Sequence, residues 1–215
     1  MGTIVVTGGA GFIGSHTCEA LLKRGDTVIC IDKLDGTLYD SEYKLQNLEL
    51  LKNSKFIFEK ADITDKAALD AIFARHHVDG IIHIAALAGV RPSVEYPLLY
   101  ENVNVRGTLH LLELCRSHNI KKFIFASSSS VYGEQNTPPF KETDNTDQPA
   151  SPYAATKKSG ELLCATYSHL YGLRCSCLRF FTVYGPRGRP DMATWKFTEG
   201  ILDKPPVIVF GNGNT

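Results

Sequence analysis

The 215-residue chain carries 23 Lys+Arg against 23 Asp+Glu, and its 43% hydrophobic and 21% charged content is ordinary for a soluble globular protein able to bury a core. A zero formal charge excludes a bulk cationic field for nucleic acid or an anionic membrane, so a phosphate-bearing ligand must be held by local groups. No basic segment leads into a long apolar run near Met1, so neither signal peptide nor membrane anchor is expected and the location expected is cytoplasmic.

Short β-branched runs alternate with helical patterns along the chain, as in βαβ units. A strand at 3–7 (TIVVT) passes through a glycine turn into a helix near 12–24, stopped by Gly25. Strands at 27–31 (TVICI) and 55–59 (KFIFE) follow, then a helix near 65–76 and a strand at 80–84 (GIIHI). One long helix is expected near 95–117, with Asn119 beyond its end, before a strand at 122–126 (KFIFA). The polar stretch 134–151, with three prolines, reads as a long loop of the kind that usually serves function. A helix near 152–171 stops at Gly172 and a strand at 174–178 (RCSCL) follows. After residue 181 come a loop, a short helix at 192–203, and PPVIVFGNGN as a strand entering a turn. Continuously apolar strands of this kind are covered on both faces. Cysteines 18, 30, 115, 164, 175 and 177 are expected as reduced, core-filling thiols; Cys175 and Cys177 would share a strand face, but no second pair completes a metal site, so none is expected.

Gly8, Gly11 and Gly14 follow the first strand and open the first helix, with Phe12 and Ile13 between the last two. In that setting the glycines permit a tight turn, approach of a pyrophosphate and close helix–strand packing, while amides at the helix start meet phosphate. Asp32 closes the second strand, where an acid accepts hydrogen bonds from ribose hydroxyls and repels a 2′-phosphate, which favours NAD over NADP; Lys33 beside it works the other way. Asp62 and Ile63, after the third strand, are placed for the adenine, although Asp62 could equally cap a helix. The fold class is therefore α/β, a Rossmann-type doubly wound parallel sheet.

Tyr153 and Lys157 stand four residues apart, on one face of a helix, where an ammonium favours phenolate and the tyrosine pKa should fall toward neutrality. Ser128, Ser129 and Ser130 lie at the carboxyl end of the fifth strand, the end at which parallel sheets present ligand sites. Together T-G-G-A-G-F-I-G (7–14), Asp32, H-I-A-A (83–86), S-S-S-S-V-Y-G (127–133), S-P-Y-A-A-T-K (151–157) and R-F-F-T-V-Y-G-P-R (179–187) resemble the extended short-chain dehydrogenase/reductase family, in order over nearly the whole chain. The resemblance implies that Ser128 and Tyr153 hydrogen-bond a reacting sugar hydroxyl and that Tyr153 moves its proton. Lys157 would hold the nicotinamide ribose and lower the tyrosine pKa. Ala85 and Ala86 would join the cofactor site, and Ser129, Ser130 and Thr182 the substrate site.

Members of the resembled family oxidise a sugar 4-hydroxyl with NAD to a 4-keto sugar; dehydratases and decarboxylases add an acid before V-Y-G. Ser129 and Ser130 occupy that place here, so the resemblance implies epimerisation of a UDP-sugar at carbon 4. Gly89-Val90-Arg91 and 184–192 resemble the UDP-glucuronate 4-epimerase branch, which makes UDP-galacturonate. Arg189, with Arg91, is expected to grip the uronate carboxylate in two parallel hydrogen bonds; the alternative is a loop arginine paired with Asp191 or solvent. A UDP-glucuronate decarboxylase and a catalytically idle NAD-binding protein are the competing functions. The expected organisation is an NAD-binding domain at 1–181 and the start of an incomplete substrate domain at 182–215, so that NAD binding survives better than turnover. The resemblance also implies a homodimer through helices 95–117 and 152–171, with Leu109, Leu112, Leu163 and Tyr167 as contacts.

Overall fold

A computed structural model describes residues 1–134 and 138–203. Its strands are Thr3–Thr7 (β1), Thr27–Asp32 (β2), Phe56–Lys60 (β3), Gly80–His83 (β4), Lys122–Ser128 (β5) and Arg174–Phe180 (β6). They form one parallel sheet in the order β3-β2-β1-β4-β5-β6. The order reverses between β1 and β4, so the crevice beyond their carboxyl ends is where such a sheet receives ligands.

The central strands are buried on both faces, which explains their unbroken apolar reading. Val5, Ile29, Ile31 and Ile81 enter one core layer, while Val6, Val28 and Cys30 point into the other. Helices Lys66–Arg75 (α3), Gly107–Ser117 (α6) and Pro152–Tyr171 (α7) supply Phe73, Leu111 and Cys164 to the first layer. Phe12–Arg24 (α1) supplies Cys18 and Leu21 to the second. Gly25, at φ 93°, and Gly172, at φ 64°, terminate α1 and α7 in the left-handed conformation that glycine adopts without strain.

Four expectations need correction. A helix the sequence pattern did not signal, Glu42–Leu50 (α2), follows the loop after β2. The single helix expected near 95–117 is instead Val90–Glu95 (α4), Pro97–Tyr100 (α5), a π-helical stretch Glu101–Arg106, and α6. Pro97, with no amide hydrogen, begins a new helix after Tyr96. Coverage of both faces does not extend to β3 or β6: β3 is only half-buried, and Leu178 on β6 is 43% exposed. Four of the six cysteines are core residues, but Cys175 is half-buried and Cys177 exposed, because they lie on that open strand. The strand expected within 204–215 lies outside the described residues. Among the described residues, no helix is long and apolar enough to cross a membrane.

Candidate active site

Gly8, at φ 71°, turns the chain out of β1 against the loop that follows β4; a Cβ there would sit 2.7 Å from the Ala85 amide nitrogen. Gly14 is held closer still, since its Cβ would lie 2.0 Å from the Gly8 carbonyl oxygen. Helix α1 and strand β1 can meet at this distance only because both residues lack side chains. No side chain caps α1 at Gly11, and Phe12 and Ile13 border the cavity above the turn, so the helix start offers its amides and positive dipole end to an anion there. Asp32, buried at the end of β2, accepts hydrogen bonds from the amides of Ala10 (3.3 Å) and Leu34 (2.8 Å).

Every residue expected to hold cofactor or substrate lines one cavity of about 620 Å³. The glycine turn, Asp32, Lys33, Asp62, Ile63, Ala85 and Ala86 form one end, with Ser128, Ser129, Ser130, Tyr153, Lys157, Arg91, Thr182 and Arg189 contributing the rest. Asp62 is not a helix cap: Asp65 caps α3 by accepting from the Ala68 amide, while Asp62 accepts from Thr64 and faces Lys33 at 3.2 Å. Lys33 is also paired with Asp35 at 2.5 Å, so its charge is balanced by acids on both sides.

Ser151 caps α7 by accepting from the Ala154 amide, and Pro152 occupies its first turn. That start aims Tyr153 at the cavity with Lys157 one turn on. The lysine ammonium donates to the Ala126 carbonyl at 2.7 Å and is 6.0 Å from the Tyr153 ring centroid. Burial lowers its pKa to about 8. The expected fall of the tyrosine pKa is not what the geometry produces. Burial raises it, while hydrogen bonding with Ser128 and the charge of Arg189 pull it down. Sharing a helix face did not make Lys157 the controlling charge, because its amine reaches across to β5 instead.

Arg189 donates from Nε and Nη2 to the two oxygens of Asp191, at 2.9 and 2.6 Å, and lies 5.8 Å from the Tyr39 ring centroid. The pairing with Asp191 named as the alternative is thus present, leaving Nη1 for a second acceptor. Arg91 stands exposed on the cavity rim. Arg187, with φ 64°, fixes the same loop to α1: its Nη2 donates to Glu19 at 2.6 Å, His16 contacts its guanidinium, and His16 Nε2 meets the Pro186 carbonyl at 2.9 Å. Sequence reasoning missed Tyr39 and Lys44 in the cavity wall. No motif marks them; for Lys44, four residues after an acid-rich turn, the unrecognised α2 was the missing signal.

Residues 4–215 match the model of the NAD dependent epimerase/dehydratase family. The chain belongs to that family. It is 49% identical, over 99% of its length, to a UDP-glucuronate 4-epimerase of Thermodesulfobacterium geofontis, and spans 66% of that relative. It superposes with a TM-score of 0.89 and 40% identity on a UDP-glucuronic acid 4-epimerase of Bacillus cereus solved with UDP-glucuronic acid and NAD. A UDP-glucose 4-epimerase of Thermotoga maritima solved with UDP-glucose gives 0.88 and 36%. Each alignment covers 98% of this chain and 66% of the solved one, so the chain spans just under two-thirds of these relatives.

Proposed function

We propose that this family member holds NAD and a UDP-sugar for epimerisation at carbon 4, with UDP-glucuronate and UDP-galacturonate as the pair interconverted. The observation that carries the reading is the convergence of the glycine turn, Asp32, Ser128, Tyr153 and Lys157 on one cavity. The uncapped start of α1 and the side-chain-free approach at Gly8 and Gly14 fit a dinucleotide. Bound there, NAD would supply the redox chemistry, accepting and returning the hydrogen of carbon 4. Asp32 would receive the adenosine ribose and discriminate against NADP, with Asp62 and Ile63 beside the adenine. Ser128 and Tyr153 would hold the 4-hydroxyl, and Tyr153 would take and restore its proton. Lys157, poised near pKa 8, would bind the nicotinamide ribose. Thr182, Arg91 and the Nη1 of Arg189 would receive the uronate carboxylate.

Absence of an acid at Ser129 and Ser130 favours epimerisation over decarboxylation. Division at residue 181, a cytoplasmic location and a homodimer through residues 95–117 and α7 belong to the same proposal. The dimer contacts require revision: Leu112 is fully buried and the Tyr167 hydroxyl bonds Glu113 of its own subunit. Leu98 and Leu162, 83% and 57% exposed, take their place.

The test begins with calorimetry on the chain itself: NAD should bind well ahead of NADP, and equal affinity removes the role of Asp32. The chain joined to the last third of the Thermodesulfobacterium geofontis relative should then convert UDP-glucuronate to UDP-galacturonate. Tyr153→Phe should lower that turnover about a hundredfold to ten-thousandfold, with NAD affinity nearly unchanged. Release of carbon dioxide in place of the epimer would establish the decarboxylase, and near-normal turnover by Tyr153→Phe would remove its role in proton transfer.

A further inference from the structure

His83 is completely enclosed at the end of β4, between the tilted rings of Phe123 and Phe125. Its Nδ1 lies 2.7 Å from the Thr7 hydroxyl and its Nε2 lies 2.9 Å from the Thr108 hydroxyl. Which nitrogen carries the proton follows from the neighbours. Thr108 spends its one hydroxyl hydrogen on the Asn104 carbonyl at 2.5 Å, so it can only accept from the ring. Nε2 therefore bears the hydrogen, and Nδ1 accepts from Thr7. The Thr7 oxygen is completed by the Ala85 amide at 3.3 Å.

The same direction continues on the far side. Asn104 accepts from the Leu87 amide at 2.8 Å, which fixes its side-chain amide toward the Leu87 carbonyl and the Thr156 hydroxyl, both at 3.0 Å. Thr156 donates in turn to the Tyr153 carbonyl at 2.7 Å. Thr7, His83, Asn104, Thr108 and Thr156 are all buried. Asn104 sits in the π-helical stretch, whose wider turn sets it and Thr108 between β4 and α7. One end of this chain of bonds is the residue before Gly8; the other is the backbone of Tyr153.

We propose that His83, held as the Nε2–H tautomer, is a positioning residue that fixes the helix carrying Tyr153 and Lys157 relative to the strand end carrying the glycine turn. The proposal rests on Tyr153 being the reacting group, yet its first test does not. Burial, with the Lys157 charge nearby, lowers the His83 pKa to about 3, in keeping with a ring that accepts at one nitrogen and donates at the other.

In the 215-residue chain with isotope-labelled histidine, proton–nitrogen correlation spectra should show His83 bare at Nδ1 and protonated at Nε2, unchanged from about pH 8 to about pH 5. The opposite tautomer, or titration near the ordinary value of about 6.5, overturns the proposal whether or not any variant folds. Thr108→Val removes the acceptor while keeping the shape. It should shift the titration of the labelled Tyr153 ring and weaken NAD binding about fivefold, the factor for one buried hydrogen bond. Thr108→Ser should restore both. If Thr108→Val leaves the Tyr153 titration and NAD affinity as they were, His83 is only a satisfied core residue. The two readings fail apart: full turnover by Tyr153→Phe removes the reacting-group assignment, whereas the tautomer and the Thr108→Val shift are read without turnover.

Discussion

Lys157 is 4% exposed, and its ammonium has the Ala126 carbonyl for a partner. Burial still dominates, and the pKa near 8 makes its charge a cost in the folded chain. The unfolded lysine, near 10.5, binds more proton between those values, so stability from this group is recovered as pH rises from about 8 to about 10.5 and lost as pH falls through 8. Over that window the stability of the natural chain relative to Lys157→Met should improve by about 3 kcal/mol, an order-of-magnitude figure. Urea titrations at several pH values check it; a constant difference would mean that the amine is not desolvated. The neighbouring phenol was harder to read from residue types alone. Spacing put Tyr153 and Lys157 on one helix face, but burial sets the direction of the tyrosine shift, and only the fold decides how deeply the phenol is buried.

At the level of elements, glycines record close approaches. Gly160 of α7 meets β5 so tightly that a Cβ would lie 2.3 Å from Cζ of Phe125. Gly160→Ala should therefore cost about 1–3 kcal/mol through overpacking, seen as a lower urea midpoint. Gly14→Ala would meet backbone rather than a ring, and should add loss of NAD binding to loss of stability. All six strands were legible as short runs set between helical patterns, although the sixth, RCSCL, has no β-branched residue, and the glycine turn was legible because its motif sits where strand becomes helix. Helix α2 was not: Leu45 and Leu50 are 43% and 68% exposed and only Asn47 is buried, so no apolar stripe announced it. The π-helical stretch was also hidden, since its register is a matter of hydrogen bonding that composition does not express. Pro97 did mark a break, which the apolar run around it obscured.

For the molecule as a whole, the apolar side chains left outside the core bear on assembly. Leu98 beside the π-helical stretch and Leu162 on α7 are exposed, whereas Leu109 and Leu163 are partly spent on the core. If residues 95–117 and α7 pair with a second copy, Leu162→Glu should turn a dimer into a monomer by sedimentation at micromolar concentration, with NAD affinity preserved. A natural chain that is already monomeric under those conditions removes the dimer from the proposal.

The tie between Arg187 and Glu19 has a thermodynamic consequence. The loop carrying Arg189 is fastened to the helix whose first turn borders the dinucleotide end of the cavity, so the two ligands of the proposed reaction share a wall. A shared wall makes their affinities mutually dependent, and linkage requires the dependence to be reciprocal. Whatever factor NAD adds to the affinity for a UDP-sugar, the sugar must add to the affinity for NAD. Calorimetry of each ligand with and without the other measures that factor twice, and Glu19→Ala, which removes the ion pair without touching the cavity wall and leaves the His16 contacts, should bring both measurements closer to unity.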